Sequence, residues 1–198
     1  MQQFDPNYDI VTPIRTQQGK VDVTVRFPND SEWAEWFRTR RMQVTQLGRG
    51  ASTFQMDSEA ADFKLYEQIR RPESPNLDPA EASVLIEKIG RREVSNIENE
   101  GDELDVTLAV FGGVATHRVR IPNAKQVGSF RRGSSQIVSL PFNKQQVKTA
   151  LEPGIRLYDE CLIGAKGYSN GTIPGIHKDE VMRSVLQFIE QEADEANP

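Results

Sequence analysis

From Lys20 to Phe27, apolar Val21, Val23, Val25 and Phe27 alternate with Lys20, Asp22, Thr24 and Arg26, the period of two that marks a half-buried strand. Pro28 ends it. Beyond the proline, Asn29, Asp30 and Ser31 offer helix N-caps, Glu32 and Glu35 put negative charge near the helix start, and Trp33, Trp36, Phe37 and Arg40 recur at helical spacing. Gly48 and Gly50 are expected to break this helix. A second helix is expected from a cap at Asp57 or Ser58 through Arg71, on the recurrence of Ala61, Leu65 and Ile69. Asp78 with Pro79 starts a third, which Ala82, Leu85, Ile86 and Ile89 carry along one face.

Arg91 to Ile97 and Leu104 to Val110 read as strands, and Gly112-Gly113 before the strand at Thr116 to Ile121 is a hairpin signal. After Pro122 comes a shorter helix holding Val127 and Phe130, then a strand at Ile137 to Leu140. Pro141-Phe142-Asn143 reads as the entry to a helical stretch from Lys144 to Ala165, bent near Pro153-Gly154. Gly164 to Pro174 is expected to be a loop, and Asp179 to Glu192 a closing amphipathic helix with Val181, Val185, Leu186 and Ile189 inward.

The pattern recurs along the chain. VRFPN at Val25 is echoed by VRIPN at Val119, WFRTRR at Trp36 by SFRRG at Ser129, RGAS at Arg49 by RGSS at Arg132, LYEQI at Leu65 by LYDEC at Leu157, and SVLI at Ser83 by SVLQ at Ser184. Self-similarity in this order argues for an internal duplication. The expected class is α+β, with duplicated strand-proline-helix units forming two similar halves packed together. Residues 1–18 form an N-terminal arm in this division, 19–98 the first repeat, 99–192 the second and 193–198 an acidic tail.

Composition narrows the function. The 198 residues are 37% hydrophobic and 27% charged, as in an ordered, soluble chain. No apolar run approaches the roughly 20 residues that cross a bilayer, and the first ten residues lack a signal-peptide pattern, so the expected setting is the cytoplasm, with no membrane partner. A net charge of −5 opposes general nucleic-acid binding and leaves it only a local basic patch. The single cysteine, Cys161, excludes an internal disulfide and reads as a small buried hydrophobe.

Candidate chemistry is sparse. His117 in a predicted strand and His177 at a helix entry read as structural, and two histidines with one cysteine make no metal site. LGRGAS at Leu47 follows a predicted helix and lacks the Lys-Ser or Lys-Thr of a phosphate loop. Glu98, Glu100, Asp102, Glu103 and Asp105 form a charge run of the kind that solvates a loop. No catalytic residue, metal or cofactor is expected. The partner-binding candidates are two arginine groups at matching places, Arg38, Arg40, Arg41 and Arg49 in the first half and Arg131 and Arg132 in the second. Guanidinium groups grip carboxylate or phosphate, so a protein partner, a second copy of the chain and nucleic acid are all open to them.

A strand ending in Arg-Phe-Pro before a Ser-Glu-Trp helix with arginines and LGRG (Arg26 to Gly50), together with LYDECLIGAKGYSNGTIPGIHKDEV (Leu157 to Val181), resembles proteins of phage and prophage tail-gene clusters. The likeness is strongest to tail assembly proteins of the tail-assembly-chaperone type. It spans most of the chain and brings no functional residues with it. What it implies is a non-catalytic protein that binds a long tail component during virion assembly, or forms part of the tail. A nucleic-acid-associated protein using the arginines and an enzyme with an unrecognised site are the alternatives.

Overall fold

The computed structural model describes residues 5, 9–17, 19–47, 51–140, 144–169 and 171–195. The class is α+β. In chain order the elements are β1 (Asp9–Thr16), β2 (Gly19–Arg26), α1 (Asp30–Thr39), β3 (Arg41–Leu47), β4 (Ala51–Asp57), α2 (Glu59–Ile69) and α3 (Pro79–Ile89). There follow β5 (Arg92–Glu100), β6 (Glu103–Val110), β7 (Gly113–Arg120), α4 (Ala124–Ser134), β8 (Ser135–Leu140), β9 (Lys144–Thr149), α5 (Glu152–Cys161), β10 (Leu162–Lys166) and α6 (Gly175–Glu195). They gather into two compact units. The amino unit holds β1 through α3 together with Ser135–Ala150; the carboxy unit holds Gly90–Ser134 and the chain from Leu151 onward.

In the amino unit β1 and β2 form an antiparallel hairpin from Asp9↔Arg26 to Thr16↔Gly19. Its inward residues, Ile14, Val23 and Val25, are buried beneath α2 and α3, whose Leu65, Tyr66, Ile69, Leu85, Ile86 and Ile89 complete the core. Trp33 of α1 is fully buried with its ring centroid 5.9 Å from that of Phe27. A four-stranded antiparallel sheet of order β4-β3-β9-β8 completes the unit, so the β8–β9 hairpin leaves the carboxy-terminal half of the sequence to pair with β3.

The carboxy unit is built on an antiparallel sheet of order β10-β7-β6-β5. Along β6, Leu104, Val106, Leu108 and Val110 all face inward, and α5 and α6 cover that face against β7 and against β5 and β6. The hairpin expected at Gly112-Gly113 is present: Val110 pairs with Gly113 across Phe111-Gly112, and Gly112 sits at φ +78°, where a side chain would be strained.

Hairpin, helix, hairpin, helix, helix is the order of β1 to α3, and also of β6 to α6 apart from the short β10. Local chemistry recurs with it. Asn29 Oδ1 accepts from the Glu32 backbone N–H at 3.0 Å while Glu32 Oε2 accepts from the Asn29 N–H at 2.9 Å. Asn123 and Gln126 repeat this reciprocal cap at 3.1 and 3.0 Å. The Pro-Asn of each motif therefore ends a strand and caps the next helix. Past α2, Arg70 bridges to Val25; past α5, Leu162 pairs with Val119. Tyr66 and Tyr158, the tyrosines of the two Leu-Tyr echoes, are both fully buried.

Several expectations are corrected. Residues 9–16, assigned to an arm, are a strand whose Thr12 and Ile14 are buried. The helix after Asn29 stops at Thr39, and the stretch read as its continuation is β3, followed by β4. The single bent helix expected over Lys144 to Ala165 is instead β9, α5 and β10. Its expected entry at residues 141–143 lies outside the described residues. The SVL echo does not hold in burial: Val84 is 55% exposed and Val185 fully buried. Of the RGAS–RGSS echo, Arg132 and Gly133 lie inside α4, whereas Arg49 and Gly50 lie outside the described residues. The boundary placed between residues 98 and 99 falls inside β5.

Candidate functional site

The arginine candidates lie in different surroundings. Arg38, in the last turn of α1, is exposed and donates from Nε to Ala34 O at 3.3 Å. Arg40 caps α1, and its guanidinium stacks 4.2 Å above the Trp36 ring. Trp36 is itself fixed by Nε1 donating to Asp62 Oδ1 at 2.7 Å, and Ser83 Oγ donates to the other Asp62 oxygen at 2.8 Å. Arg131 and Arg132 are exposed on α4; Arg131 pairs with Glu190 of α6, and Arg132 donates to Ser129 Oγ at 3.3 Å. Arg41 opens β3 opposite Asp57, and Arg49 lies outside the described residues. Arg38 and Arg132 stand at the same place in α1 and α4, but in separate units.

The second feature is the sheet of the amino unit. Its outer strands, β4 and β8, each have one partner strand among the described residues. The outer strands read ASTFQMD and SQIVSL, with Asp57 as their one charge, whereas Arg41, Lys144 and Lys148 lie on inner β3 and β9. Ser135, Gln136 and Ile137 are exposed, Ile137 by 66%. An uncharged edge with an exposed β-branched residue is a template for another strand.

The third feature is buried. His117 of β7 and His177 of α6 are 0% and 2% exposed, and Tyr168 joins them, its hydroxyl 3.1 Å from His117 Nε2 and 3.1 Å from His177 Nδ1. Tyr158 of α5 reaches His117 Nδ1 at 2.7 Å. Loss of water around the rings lowers His117 to about 4 and His177 to about 3, the latter aided by nearby His117 and Arg92, and burial holds both phenols above their usual range. Both rings are neutral at physiological pH. One proton on each hydroxyl and one on each ring satisfy every contact in this chain, and the groups are sealed from solvent. The arrangement therefore ties β7, α5 and α6 together through buried, neutral groups.

Beside it, Asp179 is 1% exposed, with Oδ2 2.7 Å from Arg183 Nε and Oδ1 without a partner among the described residues. Desolvation raises its pKa against the pull of Arg183. Gly154 makes room for it: a Cβ there would lie 1.9 Å from Asp179 Oδ1 and 2.9 Å from its Cα. Sequence reasoning flagged the histidines singly and missed Tyr158, Tyr168 and Asp179 as their neighbours. All but His117 fall within the late segment Leu157 to Val181.

A cavity of about 500 Å³ follows α2, but Arg70 in its wall is tied to Glu67 at 3.3 Å and Arg71 to Asp9 at 2.5 Å. Among the described residues no group of three or more His, Cys, Asp or Glu is placed to hold a metal ion, and no helix is long and apolar enough to cross a membrane. No family model, curated protein or solved structure matches this chain. Its function must be argued from the three features above.

Proposed function

We propose that this chain is a non-catalytic assembly protein of phage or prophage tails, acting in the host cytoplasm and binding other chains through strand edges. The observation that supports this most is the pair of outer strands β4 and β8, whose one charge is Asp57 at the end of β4. A strand edge offers a row of backbone N–H and C=O groups, and pairing there gives affinity with little side-chain chemistry. Exposed Arg38 and Arg132 add points that grip a partner's carboxylates. In this reading the buried histidines have a packing role. The likeness of Arg26 to Gly50 and Leu157 to Val181 to tail-cluster proteins supplies the setting and the partner, a long tail component.

Co-expression with such a component and affinity purification at moderate salt tests the reading. A complex of fixed stoichiometry that survives the salt is the expected result. Recovery of the chain without the tail component, or with nucleic acid that leaves steeply as salt rises, would overturn it, the second outcome pointing to phosphate contacts.

A further inference from the structure

The amino-unit sheet joins two hairpins that hold the same place in the element order, β3–β4 after α1 and β8–β9 after α4. A shift of 93 positions carries one ladder onto the other: Met42↔Met56 falls on Ser135↔Thr149, and Leu47↔Ala51 on Leu140↔Lys144. The seam between them joins the first strand of one hairpin, β3, to the second strand of the other, β9. Across the sheet the order is thus second strand, first strand, second strand, first strand. Among the described residues a first strand, β8, is left open at one end and a second strand, β4, at the other. Each end is the counterpart of one side of the internal seam.

We propose that the chain associates with itself head to tail, β8 of one copy pairing antiparallel with β4 of the next as β3 pairs with β9 within a copy. The inference rests on the assembly reading and names the partner at these edges, a second copy. The seam also sets the register. Its pairs are Met42↔Val147, Gln43↔Gln146, Val44↔Gln145 and Thr45↔Lys144. The same shift makes the intermolecular pairs Ser135 with Phe54, Gln136 with Thr53, Ile137 with Ser52 and Val138 with Ala51 of the second copy. No charged residue stands in these four pairs, so none opposes the contact. Pairing β8 with β8 would instead join two first strands, a combination that the sheet does not use. Because the joint links unlike edges, each addition exposes a new one, and the assembly grows until a ring closes or a filament forms.

Disulfide trapping reads the register directly. Neighbouring pairs in an antiparallel ladder alternate between Cα separations of about 5.5 and about 4.5 Å, so Q136C with T53C and I137C with S52C sample both geometries. Native Cys161 is 2% exposed and stays out of the reaction. Mixing the two single variants of a pair should give a cross-linked dimer, and the double variant a ladder of multimers. In light scattering the unmodified chain should gain mass with concentration, while I137K, at a position 66% exposed, should weaken association about tenfold or more and leave the unfolding midpoint in place. Cross-linking of Q136C with itself as efficient as that of the mixture, or a monomer at every concentration with no ladder, would overturn the proposal. A monomer that still holds the tail component removes head-to-tail pairing and leaves the assembly reading standing; a ladder without that component does the reverse.

Discussion

The two four-stranded sheets end in opposite ways. In β10-β7-β6-β5, edge strand β5 carries Arg92, Glu93, Glu98 and Glu100 and a register break between Val94 and Asn96, while the other edge, β10, has five residues and a break between Leu162 and Gly164. Charge, bulges and short length are the devices that stop a sheet from growing. In β4-β3-β9-β8 the charges sit mainly on the inner strands and no break is found along the described ladders. One sheet is closed to further strands and packs a core. The other lacks, along its described edges, most of the protection that the first sheet has.

The largest expected contrast is in acid. Both histidines of the chain lie in the carboxy unit and both tryptophans, Trp33 and Trp36, in the amino unit. The unfolded rings take up protons below pH 6.5, whereas the folded rings resist until about 4 for His117 and about 3 for His177. Their stability contribution is therefore complete above 6.5 and lost as pH falls toward 4, on the order of 3 kcal/mol for each ring. Asp179, raised by burial, takes up its proton more readily folded than unfolded and offsets part of the loss. In the amino unit Glu32, held below its ordinary 4.5 by Arg26, gives stability that is lost only below 4.5. Amide exchange near pH 5 should show protection falling around β7 and α6 while tryptophan fluorescence is unchanged. Simultaneous loss of both signals, or replacement of His117 by Asn without a flatter pH slope, would contradict this account.

Truncation of a buried and an exposed strand residue sharpens the comparison. Leu108 of β6 is 0% exposed, and Leu108→Ala should cost about 3 kcal/mol in urea unfolding through lost burial and the cavity left behind. Ile137→Ala, on β8, should stay within about 0.5 kcal/mol in the unassociated chain. Near-equal costs would mean that Ile137 belongs to a core.

The same difference decides what could be read from the sequence. Alternation found β2 and β6, and the four-residue recurrence found α2 and α3, because these elements bury one face and the pattern of apolar residues records burial. RMQVTQL, ASTFQMD and KQQVKT are rich in Gln, Thr and Ser, and they were read as helix or as nothing. A strand held by its backbone ladder needs no apolar stripe and so leaves a weaker mark. Of the arginines read on the first helix, Arg38 lies on α1, but Arg40 caps it and Arg41 opens β3; the partners of Arg40 and Arg131, Trp36 and Glu190, were beyond a reading by position. The Tyr158-His117-Tyr168-His177 chain was illegible for a related reason: β7, α5, the segment after β10 and α6 each supply one member, and only the tertiary fold brings them together.

The smallest expected effect tests how alike the repeated Pro-Asn caps are. Both use Asn with an acceptor side chain three residues on, so Asn29→Ala and Asn123→Ala should each cost about 1 kcal/mol, as lost N-caps do. The third cap residues differ. Glu32 also receives two guanidinium contacts from Arg26, one at 2.7 Å, whereas Gln126 donates to Glu160 at 3.0 Å in an exposed contact. Glu32→Ala removes a charge-assisted pair along with the cap and should cost about 2 kcal/mol; Gln126→Ala should cost less than about 1. Urea midpoints for the four variants settle it, and equal losses for Glu32 and Gln126 would show that the Arg26 pair adds nothing. The asymmetry has a physical origin. Arg26 lies at the end of the hairpin that α2 covers and also donates to Gln68 O at 3.2 Å, so its guanidinium ties β2, α1 and α2 together, whereas Gln126 makes its cap and a surface hydrogen bond to Glu160.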